Sequence, residues 1–267
     1  MNTPSETLTA VTCPACGLLC DDLTVEVQGT QLRIKENGCD KARAFFETPL
    51  IETTPRIDGQ AASLEAAIAR ASAILGRAQH PLIAGLATDI HGMRAVMNLA
   101  GTARATLDHM NGYSSMRNLL VMQNSGWQVT TLTEVRNRVD LLVVVGTDIV
   151  GRFPKFFERL IWNQETLFGQ DTNTREVVYV GGRNLNTAAG VSPAGKQPDV
   201  LPCDLDRLPE VLAALRAIAA GKPLAATAVA GIPTAELTKL AERLKAAKYG
   251  VIAWSAAQGI FHASGGE

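Results

Sequence analysis

The sequence predicts an α/β protein: a small cysteine-rich β module followed by two doubly wound parallel α/β units. Three observations predict it. Four of the five cysteines, Cys13, Cys16, Cys20 and Cys39, fall in the first forty residues. From residue 61 onward, short apolar runs alternate with amphipathic stretches at helical spacing, the pattern of strands joined by crossover helices. The run Leu141-Leu142-Val143-Val144-Val145, closed by Gly146, contains no polar residue, as suits a strand buried on both faces.

The cysteines are spaced C-x2-C-x3-C-x18-C. Three thiols within eight residues converge only if the backbone curls, and Pro14 and Gly17 permit the curl. Leu23-Thr24-Val25-Glu26-Val27 alternates with strand period, Gly29-Thr30 reads as a turn, and Leu32-Arg33-Ile34 as the return strand. This hairpin carries Cys39 back beside the other three. Thiolates are ligands for zinc and for iron–sulfur clusters, so one metal centre, zinc or [4Fe–4S], is expected on Cys13, Cys16, Cys20 and Cys39. The competing reading is four unrelated buried or disulfide-bonded cysteines.

Residues 52–60 are rich in turn formers and read as the exit from the module. Ser63 is placed to cap a helix carrying Leu64, Ile68, Ala71 and Leu75. A short strand, 81–85, and a helix, 91–103, follow; residues 105–128 show no clear period. After the strand 140–145, a helix is expected over 155–162 with Phe156, Phe157, Leu160 and Ile161 on one face, then a strand over 176–180. Asp206 and Thr234 are expected to cap two further helices, 221–233 to connect them, and 249–254 to close the fold as a strand. The expected domains are 1–55, the metal module; 56–139 with 222–267, the first α/β domain; and 140–221, an inserted second one. In this scheme strand 249–254 returns to the sheet containing 81–85.

Other features are discounted. Gly146, Gly181 and Gly182 end strands where a phosphate could sit, but no G-x-G-x-x-G follows the first strand, so they read as tight turns. His80, His91, His109 and His262 lack metal-ligand spacing; His109, beside Asp108, is the best of them. Cys203 reads as a buried thiol.

With 46% hydrophobic residues the 267-residue chain has the means for a sizeable core. A formal charge of −1 and a pI near 6.4 give no basis for nucleic-acid or anionic-membrane binding. No apolar run reaches the ~20 residues of a membrane span. The first residues lack a basic and apolar leader, and the cysteines fit a reducing compartment, so a cytoplasmic location is expected.

Cys13-Pro14-x-Cys16-Gly17-x-x-Cys20-Asp21-Asp22, followed by Asn37-Gly38-Cys39, resembles the amino terminus of the B subunit of formylmethanofuran dehydrogenase, a branch of the molybdopterin oxidoreductases. The stretch 131–140, Thr-Leu-Thr-Glu-Val-Arg-Asn-Arg-Val-Asp, resembles the same family, with Glu134 and Arg136 matching; a plain ion pair is the alternative for these two. The chain resembles in particular the B subunits of bacterial formyltransferase/hydrolase complexes. The resemblance implies a truncated formate-dehydrogenase-like architecture and a [4Fe–4S] cluster on the four cysteines. It also implies hetero-oligomeric partners that handle formyl groups on a methanofuran-type carrier, in the oxidation of formaldehyde to formate. In the redox members, region 105–128 supplies a cysteine or selenocysteine to tungsten or molybdenum. Here no cysteine lies between Cys39 and Cys203, and Ser114, Ser115 and Met116 occupy that region. The chain also stops short of the cofactor-capping domain expected in those members. The expectation is therefore a non-catalytic, structural subunit with no molybdopterin or tungstopterin. The alternative is a catalytic oxidoreductase subunit using a pterin metal centre and a [4Fe–4S] cluster.

Overall fold

The computed structural model describes residues 5–49, 52–182 and 185–256. The chain forms two compact units, 1–48 together with 128–267, and 49–127.

The first unit opens with an antiparallel sheet of β1 (Ser5–Val11), β2 (Leu23–Gln28) and β3 (Gln31–Glu36), in the order β1-β2-β3, followed by α1 (Asp40–Phe46). The predicted hairpin is present, with Gly29 at φ 60° in its two-residue turn. Strand β1 escaped the sequence reading, because its outward residues are nearly all exposed and give it no apolar period. A register shift between Leu8 and Val11 bends β1 toward the cysteine loop.

Residues 49–127 hold a short hairpin of β4 (Arg56–Ile57) and β5 (Gln60–Ala61), then α2 (Leu64–Arg77), β6 (Leu82–Ile83), α3 (Ile90–Ala103), β7 (Thr106–Leu107) and α4 (Gly112–Ser125). Ser63 caps α2 as expected, its Oγ accepting from the Ala66 N–H, and Asp89 caps α3 through the Gly92 N–H. β6 and β7 pair in parallel over two residues each. Helix α4 was not foreseen: Leu119-Leu120-Val121-Met122 bunch together instead of recurring every third or fourth residue, and Gly, Ser and Asn around them favour turns. Among the described residues of this unit only Pro81 and Ala100 are buried.

The first unit resumes with α5 (Leu132–Arg138), capped by Thr131, and β8 (Leu141–Val145), then α6 (Ile149–Arg152) and a π-helical turn, Phe157–Ile161. There follow β9 (Glu176–Val180), β10 (Asp199–Leu201), α7 (Leu208–Ala219), a small hairpin of β11 (Ala228–Val229) and β12 (Ile232–Pro233), α8 (Thr234–Ala246) and β13 (Gly250–Trp254). The sheet order is β10-β9-β8-β13, all parallel. Alternate residues of β8 and β9 face opposite layers. Leu141, Val143, Val145, Val178 and Val180 pack under α7 and α8, whereas Leu142, Val144, Val177 and Tyr179 pack against α5 and the π turn. This is an α/β arrangement with helices on both faces of one parallel sheet, where two doubly wound units were expected; in residues 49–127 only the two-residue strands β6 and β7 pair in parallel.

The domain boundaries differ from expectation. Strand β13 does not join β6; it pairs along its full length with β8, Gly250 beside Leu141 through Trp254 beside Val145. A strand buried like β8 must satisfy its peptide groups on both edges, and β9 supplies only one. The division is accordingly 1–48 with 128–267 against 49–127, in place of an insertion at 140–221. Two caps also differ. Asp206 lies in a 3₁₀ turn before α7, whose N-cap position is Arg207 with Pro209 in the first turn. Thr234 begins α8, its hydroxyl donating to the Ala226 carbonyl.

An ion-pair cluster joins β9 to α8. Glu176 accepts from Lys196 Nζ at 2.9 Å and Arg243 Nε at 3.0 Å, and Arg243 also meets Asp199 at 2.6 Å. The Lys196 hydrogen bond, and after it Arg243, hold the Glu176 carboxyl below its ordinary range against the opposing effect of burial. A carboxyl with a depressed folded pKa adds stability that is complete above its unfolded value, about 4.3, and is lost as pH falls through the folded value. Glu176→Gln is therefore expected to melt below wild type at pH 7, by an amount worth no more than about 1 kcal/mol for so exposed a cluster. The two melting curves should converge as the pH is lowered past 4. A gap independent of pH would exclude this account.

Candidate metal centre

The cysteine loop leaves β1 at Val11 and returns to β2 at Leu23. The Cys13 N–H donates to the Cys20 carbonyl at 2.7 Å, and the Leu19 N–H to the Cys16 carbonyl at 3.4 Å, so the chain folds back on itself within eight residues. Leu19 takes φ 48°, the left-handed turn that closes the curl. Cys39 sits at the N-cap of α1, brought there by β3. The tight position before it belongs to Gly38, where a Cβ would stand 2.5 Å from Ile34 Cγ2.

All four cysteines line one small cavity, of about 10 Å³. Ala15, Leu18, Leu23, Asn37 and Ala42 share its wall, and Pro154 and Lys155 reach it from the segment before the π turn. Cys13 and Cys20 are 5% and 6% exposed, and none of the cysteines is in a disulfide. Among the described residues, no three His, Cys, Asp or Glu side chains converge on a single ion.

The loop is electrostatically asymmetric. Burial pushes the Cys20 thiol up, and the Arg159 guanidinium is the main influence opposing it. Arg159 Nη2 meets Asp21 Oδ1 at 2.7 Å and Nη1 meets Asp22 Oδ1 at 2.8 Å. A backbone N–H and Arg159 hold the Asp21 carboxyl low. The Asp22 carbonyl accepts from Asn37 Nδ2 at 2.8 Å.

No protein-family model matches the chain. It is similar to the B subunit of the tungsten-containing formylmethanofuran dehydrogenase 2 of Methanococcus maripaludis, with 29% identity over 252 residues, 90% of this chain and 56% of the relative. It is also similar to the B subunit of the formyltransferase/hydrolase complex Fhc of Methylorubrum extorquens, with 28% identity over 200 residues, 74% of this chain and 50% of the relative. The chain is a homologue of the formylmethanofuran dehydrogenase B subunits. Among solved structures, a chain of the formyltransferase/hydrolase complex FhcABCD from Methylorubrum extorquens, in complex with methylofuran, matches with TM-score 0.59 and 26% identity. That match covers 75% of this chain and 52% of the other. The chain spans about half the length of the curated relatives it matches.

This homologue carries the cysteine motif on a loop packed into the β-sheet module, with Leu18 reaching on to the core beneath the π turn. The other predicted positions stand elsewhere. Ser114, Ser115 and Met116 lie in the first half of α4, Ser114 Oγ donating to the Asn111 carbonyl. His109 Nδ1 accepts from the Asn111 N–H, and Asp108 accepts from the His109 N–H, so both are engaged in a local turn. Glu134 pairs with Arg138 at 2.9 Å, one helical turn on. Cys203 is fully buried beneath α7, as expected of a core thiol. His262 lies outside the described residues. Among the described residues no helix is long and apolar enough to cross a membrane.

Two residues of the site were missed by sequence reasoning: Lys155 and Arg159. Nothing local marks them, since both look like the solvated face of an amphipathic helix. The detectable signal was the doubled acid after Cys20, which calls for a cation.

Proposed function

We propose that the chain is a B-type subunit of a hetero-oligomeric formyltransferase/hydrolase assembly acting on a formyl group carried by a methanofuran-type coenzyme. In this assembly it is a structural subunit, not a redox catalyst. The observation that carries the second half is the content of residues 105–128: where the resemblance places a thiolate for tungsten or molybdenum, this chain has Ser114, Ser115 and Met116. Neither a neutral hydroxyl nor a thioether is the soft anionic ligand such a metal takes. The assembly rests on similarity to the complex with methylofuran and to its B subunit.

Cys13, Cys16, Cys20 and Cys39 would hold the metal centre. A single zinc draws four sulfurs to about 3.8 Å from one another, given a Zn–S distance of about 2.3 Å. The four cysteines line one cavity, and the resemblance favours a [4Fe–4S] cluster there, with zinc the alternative. The centre would supply a covalent cross-link among four points of the loop, and the chain's own part is to present four thiolates from a curled backbone. Identity to relatives named as tungsten-containing favours the competing reading, a working oxidoreductase subunit.

The deciding experiment is purification of the intact complex through a tag on this chain, with elemental analysis, visible absorption and identification of the co-purifying subunits. Iron near four per chain, no tungsten or molybdenum, and formyltransferase or hydrolase partners are expected. Stoichiometric tungsten or molybdenum assigned to this chain would overturn the structural reading.

A further inference from the structure

We propose that Arg159 is a positioning residue for the four-cysteine site, its single guanidinium spanning the Asp21 and Asp22 carboxylates to set the loop at Cys20 and to hold a cation beside the thiolates. This rests on the reading of the cysteines as [4Fe–4S] ligands.

The geometry is unlike that of a casual surface pair. Arg159 comes from 138 residues further along the chain, and its side chain is only 20% exposed, so its planar fork is held in place before it meets its partners. Its Nη2 hydrogen-bonds Asp21 Oδ1 at 2.7 Å, and its Nη1 stands 2.8 Å from Asp22 Oδ1 as an ion pair, directly after a proposed ligand. The same short stretch is tied twice more, the Cys20 carbonyl by the Cys13 N–H and the Asp22 carbonyl by Asn37. Cys20 to Asp22 is therefore fixed from three directions, and Arg159 is the one that comes from the α/β body.

Arg159 projects from the π-helical turn Phe157–Ile161, a backbone form that is rare and frequent at functional sites. The Arg159 N–H still bonds to the Lys155 carbonyl at 3.0 Å, whereas the Trp162 N–H bonds five residues back, to Phe157, at 2.7 Å. Lys155 lines the cysteine cavity itself, its side chain 14% exposed and loosely paired with Glu158 at 3.4 Å. Two cations from one helical turn thus stand at the edge of a site that would carry net negative charge once four thiolates bind a cluster. Removing one of them weakens the hold on the loop and makes the cluster harder to reduce, since reduction adds negative charge.

The test uses the full chain, reconstituted anaerobically with ferrous iron and sulfide. Wild type is compared with R159Q, R159K and the double variant D21N/D22N. The readouts are iron bound per chain, the rate of iron loss to excess EDTA, and the midpoint potential in a dithionite titration. R159Q is expected to lose iron roughly tenfold faster or more, the usual scale for an outer partner of a ligand. Its potential is expected to fall by about a tenfold change in the reduction equilibrium, ~59 mV for one electron. R159K should recover most of the potential but not the retention, because an ammonium does not span two carboxylates. D21N/D22N changes the exposed side of the clasp, so it decides the matter of retention even if R159Q fails to fold; it should speed iron loss without lowering the potential. Wild-type retention in D21N/D22N overturns the inference. So does a potential unchanged in R159Q, which would reduce Arg159 to a docking contact. If wild type itself takes up no iron, the metal reading fails before any variant is compared, and the inference falls with it.

Discussion

Cys16→Ser is expected to unfold the three-stranded sheet of β1–β3 while leaving the four-stranded sheet intact. The core of the cysteine module is Cys13, Cys20, Leu23, Val25, Ile34 and Ala42, so two of its six buried side chains are themselves proposed ligands. A module of this size buries too little apolar surface to stand alone. A metal tied to four thiolates contributes on the order of 10 kcal/mol to folding, by the scale of zinc-finger peptides, as much as the whole stability of many domains. The measurement is amide hydrogen exchange on the reconstituted chain. Protection over 5–36 should collapse in C16S, and protection of β8 and β9 should persist. Protected amides over 5–36 in C16S would show that the centre is not structural. If a well-folded C16S complex instead loses only an electron-transfer signal, the centre is a relay.

Arg175→Met should cost about 3–5 kcal/mol, the scale of leaving two or three buried acceptors unpaired at about 1–3 kcal/mol each. Arg175 is 1% exposed, and its guanidinium donates to the carbonyls of Leu160 (2.9 Å), Ile161 (2.8 Å) and Arg136 (2.8 Å). It also donates to Asn163 Oδ1 at 3.3 Å and to Gln170 Oε1 at 2.7 and 3.1 Å. These partners are carbonyl and amide oxygens, so burial is not offset by a carboxylate and lowers the Arg175 pKa to about 10. Methionine has similar length but no donor. It would strand acceptors at the ends of α5 and the π turn, each costing about 1–3 kcal/mol where water does not reach it. Urea denaturation should show a lowered midpoint at unchanged slope. Arg175→Lys should recover little, because one ammonium does not serve five oxygens spread around a plane. A loss below about 1 kcal/mol in R175M would mean that water replaces the guanidinium. The carbonyls of Leu160 and Ile161 close the turn that carries Arg159, so R175M should also speed iron loss from the reconstituted chain.

The parts of this protein legible in the sequence are those whose causes are local. The cysteine spacing, the turn at Gly29 and the alternation of 23–34 lie within forty residues, and together they place Cys39 beside the other thiols. The runs at 141–145 and 176–180 are β-branched because both faces of the strands are covered, and Ser63 announces α2 through a hydrogen bond three residues long. What tertiary structure alone decided is which distant groups meet. Alternation shows that 250–254 is a strand but not whose edge it takes, and that edge was settled by the need of β8 for a second neighbour. Helix α4 has no apolar period by which to be recognised. Lys155, Arg159 and Arg175 have the composition of surface residues. Arg159 acquires its place only when a turn 138 residues away swings it over Asp21 and Asp22, and Arg175 only when α5 and the π turn end their backbones around it. Periodicity reports which side of an element is buried; it carries no information about which polar group, far along the chain, a buried charge will find.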